Sequence, residues 1–314
     1  MEMLLQFMLL VIGFVLLIKG ADWFVDGASK IADKFHIPQL VIGLTIVAFG
    51  TSAPEAAVGI TAGLKGNADI ALGNVLGSNV MNILLILGIT SVIIPVSIQE
   101  STLKFEVPFV ILISALILFL GKSDGTIGLM DGIILWGFFL VFLFYLLQLA
   151  KKGQTIEDIP ESGENDRLWK MVLATIIGLI AIVWGSNLTV DSASYIAKKL
   201  GLGQRFIGLT IVAFGTSLPE LVTSATAALK GKADIAIGNI VGSNIFNLLF
   251  VLGTTAIIVP LNYAQSFVFD NIICILSAVL LLVCVLKNKK LTRSGGIIML
   301  VCYAAYFIRL YLSI

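Results

Sequence analysis

Charge is scarce in this sequence. Only 12% of its 314 residues are charged, 58% are hydrophobic, and mean hydropathy is +1.05. A soluble domain carries about 25% charged residues, so this balance excludes one and points to an integral membrane protein. Net charge is +1, which gives no electrostatic footprint for a nucleic-acid partner. Histidine occurs once, as His36 beside Pro38, so a histidine proton relay and an imidazole metal site are both excluded. The three cysteines, Cys274, Cys284 and Cys302, lie in apolar runs without CxxC spacing. They read as small buried hydrophobes rather than redox or metal groups. Long polar stretches are also missing, with one exception: "KKGQTIEDIPESGENDR", Lys151 to Arg167. It reads as a loop and is too short to be a domain.

What remains is a series of apolar runs. About ten are long enough to span a bilayer. Their centres fall near Val11, Thr51, Met81, Ile113, Phe139, Leu179, Thr216, Phe246, Val279 and Leu300. The first lacks a basic leader and a small-residue cleavage site, so it is expected to be a mature helix rather than a signal peptide. An internal repeat aligns without gaps at one offset, from Gly20/Gly185 to Gly88/Gly253. "GLTIVAFGTSAPE" from Gly43 answers "GLTIVAFGTSLPE" from Gly208, and "GNVLGSNVMN" answers "GNIVGSNIFN". Five spans per half is an odd number, so the second copy enters the membrane from the opposite side. The expected fold is an all-α membrane protein of ten transmembrane helices in two inverted five-helix repeats, with broken second and seventh helices. The halves are 1–150 and 168–314, joined by a cytoplasmic loop, 151–167. With the N-terminus outside, about fourteen of the 20 Lys and Arg lie inside, although Lys198, Lys199 and Arg205 do not.

The repeated motifs carry the chemistry. Pro54 and Pro219 remove a helical N–H donor and crowd the carbonyls of Gly50 and Gly215. This predicts a kink or short unwound stretch at mid-membrane, tolerated only where it is buried in protein or lines a wet cavity. Beside it stand Thr51, Ser52, Thr216 and Ser217, then Glu55 and Glu220. A mid-membrane charge costs at least about 2.5–3.5 kcal/mol, and no span offers a Lys or Arg at matching depth. A bound cation is the remaining partner. The third and eighth spans add Asn74, Ser78, Asn79 and Asn82, and Asn239, Ser243, Asn244 and Asn247. Ser78 and Asn82 share a helix face, as do Ser243 and Asn247. Asn79 and Asn244 read as helix-to-helix hydrogen-bonding residues. Asp69 and Asp234 read as helix starts, where the dipole favours an acid. An oxygen-only set suits a hard cation such as Ca²⁺, and two carboxylates balance one Ca²⁺ or two Na⁺.

"GTSAPE" with "GNVLGSNVMN", and "GTSLPE" with "GNIVGSNIFN", resemble the α-repeats of the sodium/calcium exchanger family, within the calcium/cation antiporter superfamily. The resemblance covers the whole chain. It implies a central cation site with Glu55 and Glu220 as main ligands. Thr51, Ser52, Thr216, Ser217, Ser78 and Ser243 would assist, with the carbonyls of Ala48 and Ala213. Asn82 and Asn247 match the last ligand positions. Many members carry Asp where Asn247 stands, so this site is one carboxylate poorer. The short loop leaves no room for the regulatory calcium-binding domains of animal members.

The function expected is exchange of Ca²⁺ for Na⁺ by a multi-pass protein of the plasma membrane, active as a monomer. Its partners would be inorganic cations and the lipid bilayer, with no cofactor. Coupling to protons, or transport of another divalent cation, is the alternative. An intramembrane enzyme is disfavoured because no nucleophile–base pair accompanies the glutamates. A channel is disfavoured because paired broken helices suggest alternate gates.

Overall fold

The computed structural model describes residues 2–66, 68–153, 167–201 and 213–312. Most of the expected 151–167 loop, Arg205, the start of the seventh span and the side chain of Asp69 lie outside the described residues. In chain order the helices are α1 (Glu2–Lys34), α2 (Gln39–Thr51), α3 (Ala53–Leu64), α4 (Ile70–Ile93), α5 (Thr102–Asp124) and α6 (Leu129–Lys151). Then follow α7 (Leu168–Lys199), α8 (Ala213–Thr216), α9 (Leu218–Leu229), α10 (Ala233–Ile258), α11 (Gln265–Leu286) and α12 (Arg293–Leu310). Among the described residues, 8 helices are long and apolar enough to cross a membrane, and α2 with α3 forms a ninth span bent by 51°.

Helix α1 packs along α7 through small residues. A Cβ on Gly20 would fall 2.9 Å from the Gly178 carbonyl oxygen, and one on Gly178 would fall 2.5 Å from the Phe24 nitrogen. Glycine is required here because the two backbones touch. Gly13 meets Gly185 and Thr189, whereas Gly27 meets Met171 and Thr175, so the two helices run antiparallel. In lipid, helices gain nothing from hiding apolar surface from each other, so close backbone packing of this kind is what holds them. The outward face of α1, with Leu4, Phe7, Met8 and Val11, is exposed.

Among the described spans α10 is the most enclosed, with every residue from Ile235 to Leu249 buried. Gly238 packs against Gly43, and Gly242 against Leu44 and Ala48. The broken span α2–α3 is thereby pressed onto α10. Helices α4 and α10 each contain a π-helical turn, Asn82–Leu87 and Phe246–Val251, which begins at or next to the asparagine singled out by the repeat. Such turns recur at functional sites because they re-aim side chains along one helix.

The fold is nearly, but not purely, helical. Strand β1 (Val96–Ser97) pairs antiparallel with β4 (Lys290–Leu291), and β2 (Thr126–Ile127) pairs with β3 (Leu261–Asn262). Two-residue strands are too short to leave an alternating pattern in sequence, which is why the all-α expectation missed them. Each ribbon ties a loop of one half to a loop of the other. β1 follows α4 and β3 follows α10, the matching helix, and each pairs with a late loop of the opposite half.

Candidate functional site

The two breaks are single residues. Ser52 (φ −81°, ψ 5°) separates α2 from α3, and Ser217 (φ −95°, ψ 5°) separates α8 from α9. Pro54 and Pro219 stand in the first turn of the second helix of each pair, where an N–H has no helical acceptor. The disruption is therefore tighter than an unwound stretch. Ser52 N–H still reaches Ala48 O at 3.0 Å, and Ser217 N–H reaches Phe214 O at 3.2 Å. Glu55 and Glu220 fall in the first turns of α3 and α9, where the helix dipole favours negative charge.

The breaks face each other across the molecule. Ser52 Oγ donates to Glu220 Oε1 at 2.9 Å, and Ser217 Oγ donates to Glu55 Oε1 at 3.3 Å. Both glutamates are fully buried, and Oε2 of each has no hydrogen-bond partner. Among the described residues, neither forms an ion pair with Lys or Arg. The basic groups pair elsewhere: Lys230, for example, holds Asp22 and Asp26. Two buried carboxylates thus share one centre, each with an oxygen free for a ligand.

Hydroxyls and amides close around them. Thr51 Oγ1 donates to Asn239 Oδ1 at 2.9 Å and lies 3.3 Å from Ala48 O, which also accepts from Ser243 Oγ at 3.4 Å. The Ala48 carbonyl is thus a meeting point of α2 and α10. A hydroxyl that gives its proton to a carbonyl keeps its own lone pairs for a cation. Ser78, on α4, is buried. Thr216 is half-buried beside Ser217, and Ala213 opens α8. Asn82 Nδ2 donates to Asn244 Oδ1 at 3.0 Å, which leaves Asn82 Oδ1 buried and unpartnered. Asn244 Nδ2 in turn reaches the main-chain O of Asn79 at 3.2 Å, the helix-to-helix role expected of Asn244, whereas both side-chain amide atoms of Asn79 are buried without partners and do not make the contact expected of them. Both amide atoms of Asn247 are buried without partners.

Asn74 and Asn239 have a supporting place. Each donates to the main-chain carbonyl of its own half's glutamate, Asn74 to Glu55 O at 3.0 Å and Asn239 to Glu220 O at 3.4 Å. Asn239 also donates to Ser224 Oγ at 2.9 Å. Ser224 and its neighbour Thr223, whose buried hydroxyl has no partner, were not foreseen. The repeat puts Gly59 and Val58 at the matching positions, so a search for matched polar residues passes over them. Asp234 begins α10 as expected, and it also accepts from Gln99 at 2.6 Å. No group of three or more Asp, Glu, His or Cys occurs among the described residues. The centre is two carboxylates within neutral oxygens, which suits a hard, exchangeable cation better than a soft, tightly held one.

Comparison with known proteins gives the family. The family described as "Sodium/calcium exchanger protein" matches residues 5–148 and 170–312. The inner membrane protein YrbG of Escherichia coli is 34% identical, over 98% of each chain. The sodium/calcium exchanger MaX1 of Methanosarcina acetivorans is 31% identical, again over 98% of each. A solved structure of the sodium-calcium exchanger NCX_Mj, soaked with zero Na⁺ and Ca²⁺, superposes with a TM-score of 0.84 at 31% identity, over 98% of this chain and 99% of that one.

Proposed function

The chain belongs to the sodium/calcium exchanger protein family, and from that premise we propose that it exchanges Ca²⁺ for Na⁺ across the plasma membrane by alternating access. The observation that carries this reading is the crossed pair of contacts, Ser52 to Glu220 and Ser217 to Glu55, around two buried carboxylates with free oxygens. The ligands would be Glu55 and Glu220, with Thr51, Ser52, Thr216, Ser217, Ser78, Ser243, Asn82 and Asn247, and the carbonyls of Ala48 and Ala213. Together they offer more than the six to eight oxygens, at about 2.3–2.6 Å, that Ca²⁺ takes. The surplus lets smaller sets of the same atoms hold Na⁺.

The architecture that goes with this function is ten helices in two inverted repeats, 1–150 and 168–314. The antiparallel packing of α1 on α7, which the repeat makes equivalent, supports the inversion. So does the exchange of partners between the two β-ribbons. A site on the axis between such halves can be exposed to either side by rocking one part against the other. The protein would act as a monomeric transporter rather than an enzyme, and without a cofactor.

One observation favours a second reading. With Asn at both 82 and 247, the centre has only two carboxylates. These could carry protons in place of Na⁺. Uptake of ⁴⁵Ca²⁺ into proteoliposomes under imposed Na⁺ or H⁺ gradients decides between them. Uptake driven by outward Na⁺ and not by H⁺ supports sodium exchange. Uptake that needs no counter-ion gradient would reject both.

A further inference from the structure

Glu106 is another buried carboxylate, and the cation centre does not use it. It ends the π-helical turn Thr102–Glu106 at the start of α5 and is 1% exposed. Tyr145 of α6 donates its hydroxyl to Glu106 Oε1, while Oε2 has only the Thr102 hydroxyl, one turn back, near it and no N–H donor among the described residues. The carboxylate lines a crevice of about 190 Å³ between α5 and α6, walled by the rings of Phe105, Phe109, Phe142 and Tyr145. Phe109 and Phe142 stack at 5.8 Å, and Phe105 lies 5.9 Å from Tyr145. Phe105 and Val141 are exposed on the lipid-facing side. Among the described residues no Lys or Arg lines the crevice.

The second half contains a closely similar arrangement with a cation in it. Asp270 follows Phe269 as Glu106 follows Phe105. Tyr306 of α12 donates to Asp270 Oδ1 at 3.1 Å, and its ring lies 6.3 Å from that of Phe269. Here Arg309, three residues after Tyr306, places its guanidinium 3.6 Å from the centroid of the Phe269 ring and within electrostatic reach of Asp270. Three residues after Tyr145 the chain has Gln148, which is neutral. A phenyl ring, a carboxylate and a tyrosine thus hold a guanidinium in one half. In the other half the same groups have no charged partner among the described residues.

We propose that the crevice at Glu106 binds the primary ammonium headgroup of a phospholipid of the phosphatidylethanolamine type. Three features select this ligand. A ring of aromatic faces favours an organic cation over a small, strongly hydrated ion. The crevice opens towards lipid, so its ligand arrives on acyl chains. Oε2 of Glu106 has the Thr102 hydroxyl beside it and lone-pair capacity for a further N–H donor, which a primary ammonium has and a trimethylammonium lacks. The depth also fits. The exposed Lys104–Glu100 pair marks the water side of Glu106.

Native mass spectrometry of the full-length protein, equilibrated with equal amounts of ethanolamine and choline phospholipids of identical chains, tests this. The wild type should retain the ethanolamine lipid over the choline lipid by about three- to tenfold, the range expected of one net hydrogen bond, because both headgroups make the cation–π contact. Glu106→Gln should remove the preference. So should Gln148→Arg, which supplies the cation that Arg309 supplies in the other half and changes only an exposed residue. Phe105→Leu should weaken retention of both lipids, and Asp270→Asn should leave the preference unchanged. Equal retention by the wild type overturns the proposal, as does a preference that survives Gln148→Arg. Loss of the preference on adding NaCl, but not on adding choline chloride, would make the occupant a bare metal ion and overturn the lipid assignment.

Discussion

The hydroxyl of Ser52, the one residue that interrupts the first broken span, lies 2.9 Å from the carboxylate of Glu220 in the second. The break in one half therefore reads the charge state of the other. Glu55 and Glu220 cannot be treated as two separate sites, because each is held by the opposite half's serine.

Glu55→Gln and Glu220→Gln should each abolish Ca²⁺ transport while the protein stays folded. At 4 Å and an effective dielectric near 20, one unit charge pair is worth about 4 kcal/mol, or roughly a thousandfold in affinity. Folding should not suffer, because the amide relieves a buried charge that lacks a basic partner. ⁴⁵Ca²⁺ flux and size-exclusion profiles check the two halves of this statement. Wild-type flux in either variant would remove the central assignment.

Ser52→Ala and Ser217→Ala should weaken Ca²⁺ binding by similar amounts. A hydrogen bond to a charged group is worth about 1.5–3 kcal/mol. A cycle combining Ser52→Ala with Glu220→Gln should show a coupling of about 0.5–3 kcal/mol. Pairing Ser52→Ala with Glu106→Gln should be additive. Calorimetric titration of Ca²⁺ into the purified variants measures both.

Asn247→Asp should change ion dependence more than folding. Its amide is fully buried with no partner, one helical turn beyond Ser243. A carboxylate there would add a third negative charge. The expected result is tighter apparent Ca²⁺ binding or a steeper dependence on Na⁺. Superimposable titration curves for wild type and variant would take Asn247 out of the site.

Gly20→Val should destabilise the protein by about 1–3 kcal/mol, because the new side chain meets the α7 backbone rather than a side chain that can move. Gly137→Ala, with nothing within 4 Å of a new Cβ, should be neutral or stabilise by about 0.5–1 kcal/mol. Thermal unfolding in one detergent compares the two directly.

Both termini should lie outside and the 151–167 loop inside, as the Lys and Arg bias predicts. A Ser162→Cys variant should therefore resist an impermeant thiol reagent in intact cells and react after lysis. Labelling before lysis would reverse the orientation.

Repetition decided what could be read from sequence. Glu55, Ser52 and Asn82 stand out because Glu220, Ser217 and Asn247 repeat them, and repeated polar residues in an apolar chain have few roles. The structure brings the two sets within hydrogen-bonding distance, at Ser52–Glu220 and Ser217–Glu55. Features without a matching copy stayed hidden. Thr223 and Ser224 stand opposite Val58 and Gly59. Glu106 looks like part of the polar start of a helix, after Glu100 and Lys104, and only the packing of α6 puts Tyr145 over it. The ribbons were unreadable for a different reason: their strands are two residues long and their partners lie in the other half.

The ribbons also set an order of events during synthesis. Val96 leaves the ribosome long before Leu291, the residue it pairs with. Its backbone must wait until nearly the whole chain has been made. Until β4 follows, β1 lacks its partner strand, so the first half cannot complete that ribbon by itself. Chains truncated before β4 should remain open to proteases at the β1 loop, however well their helices have inserted.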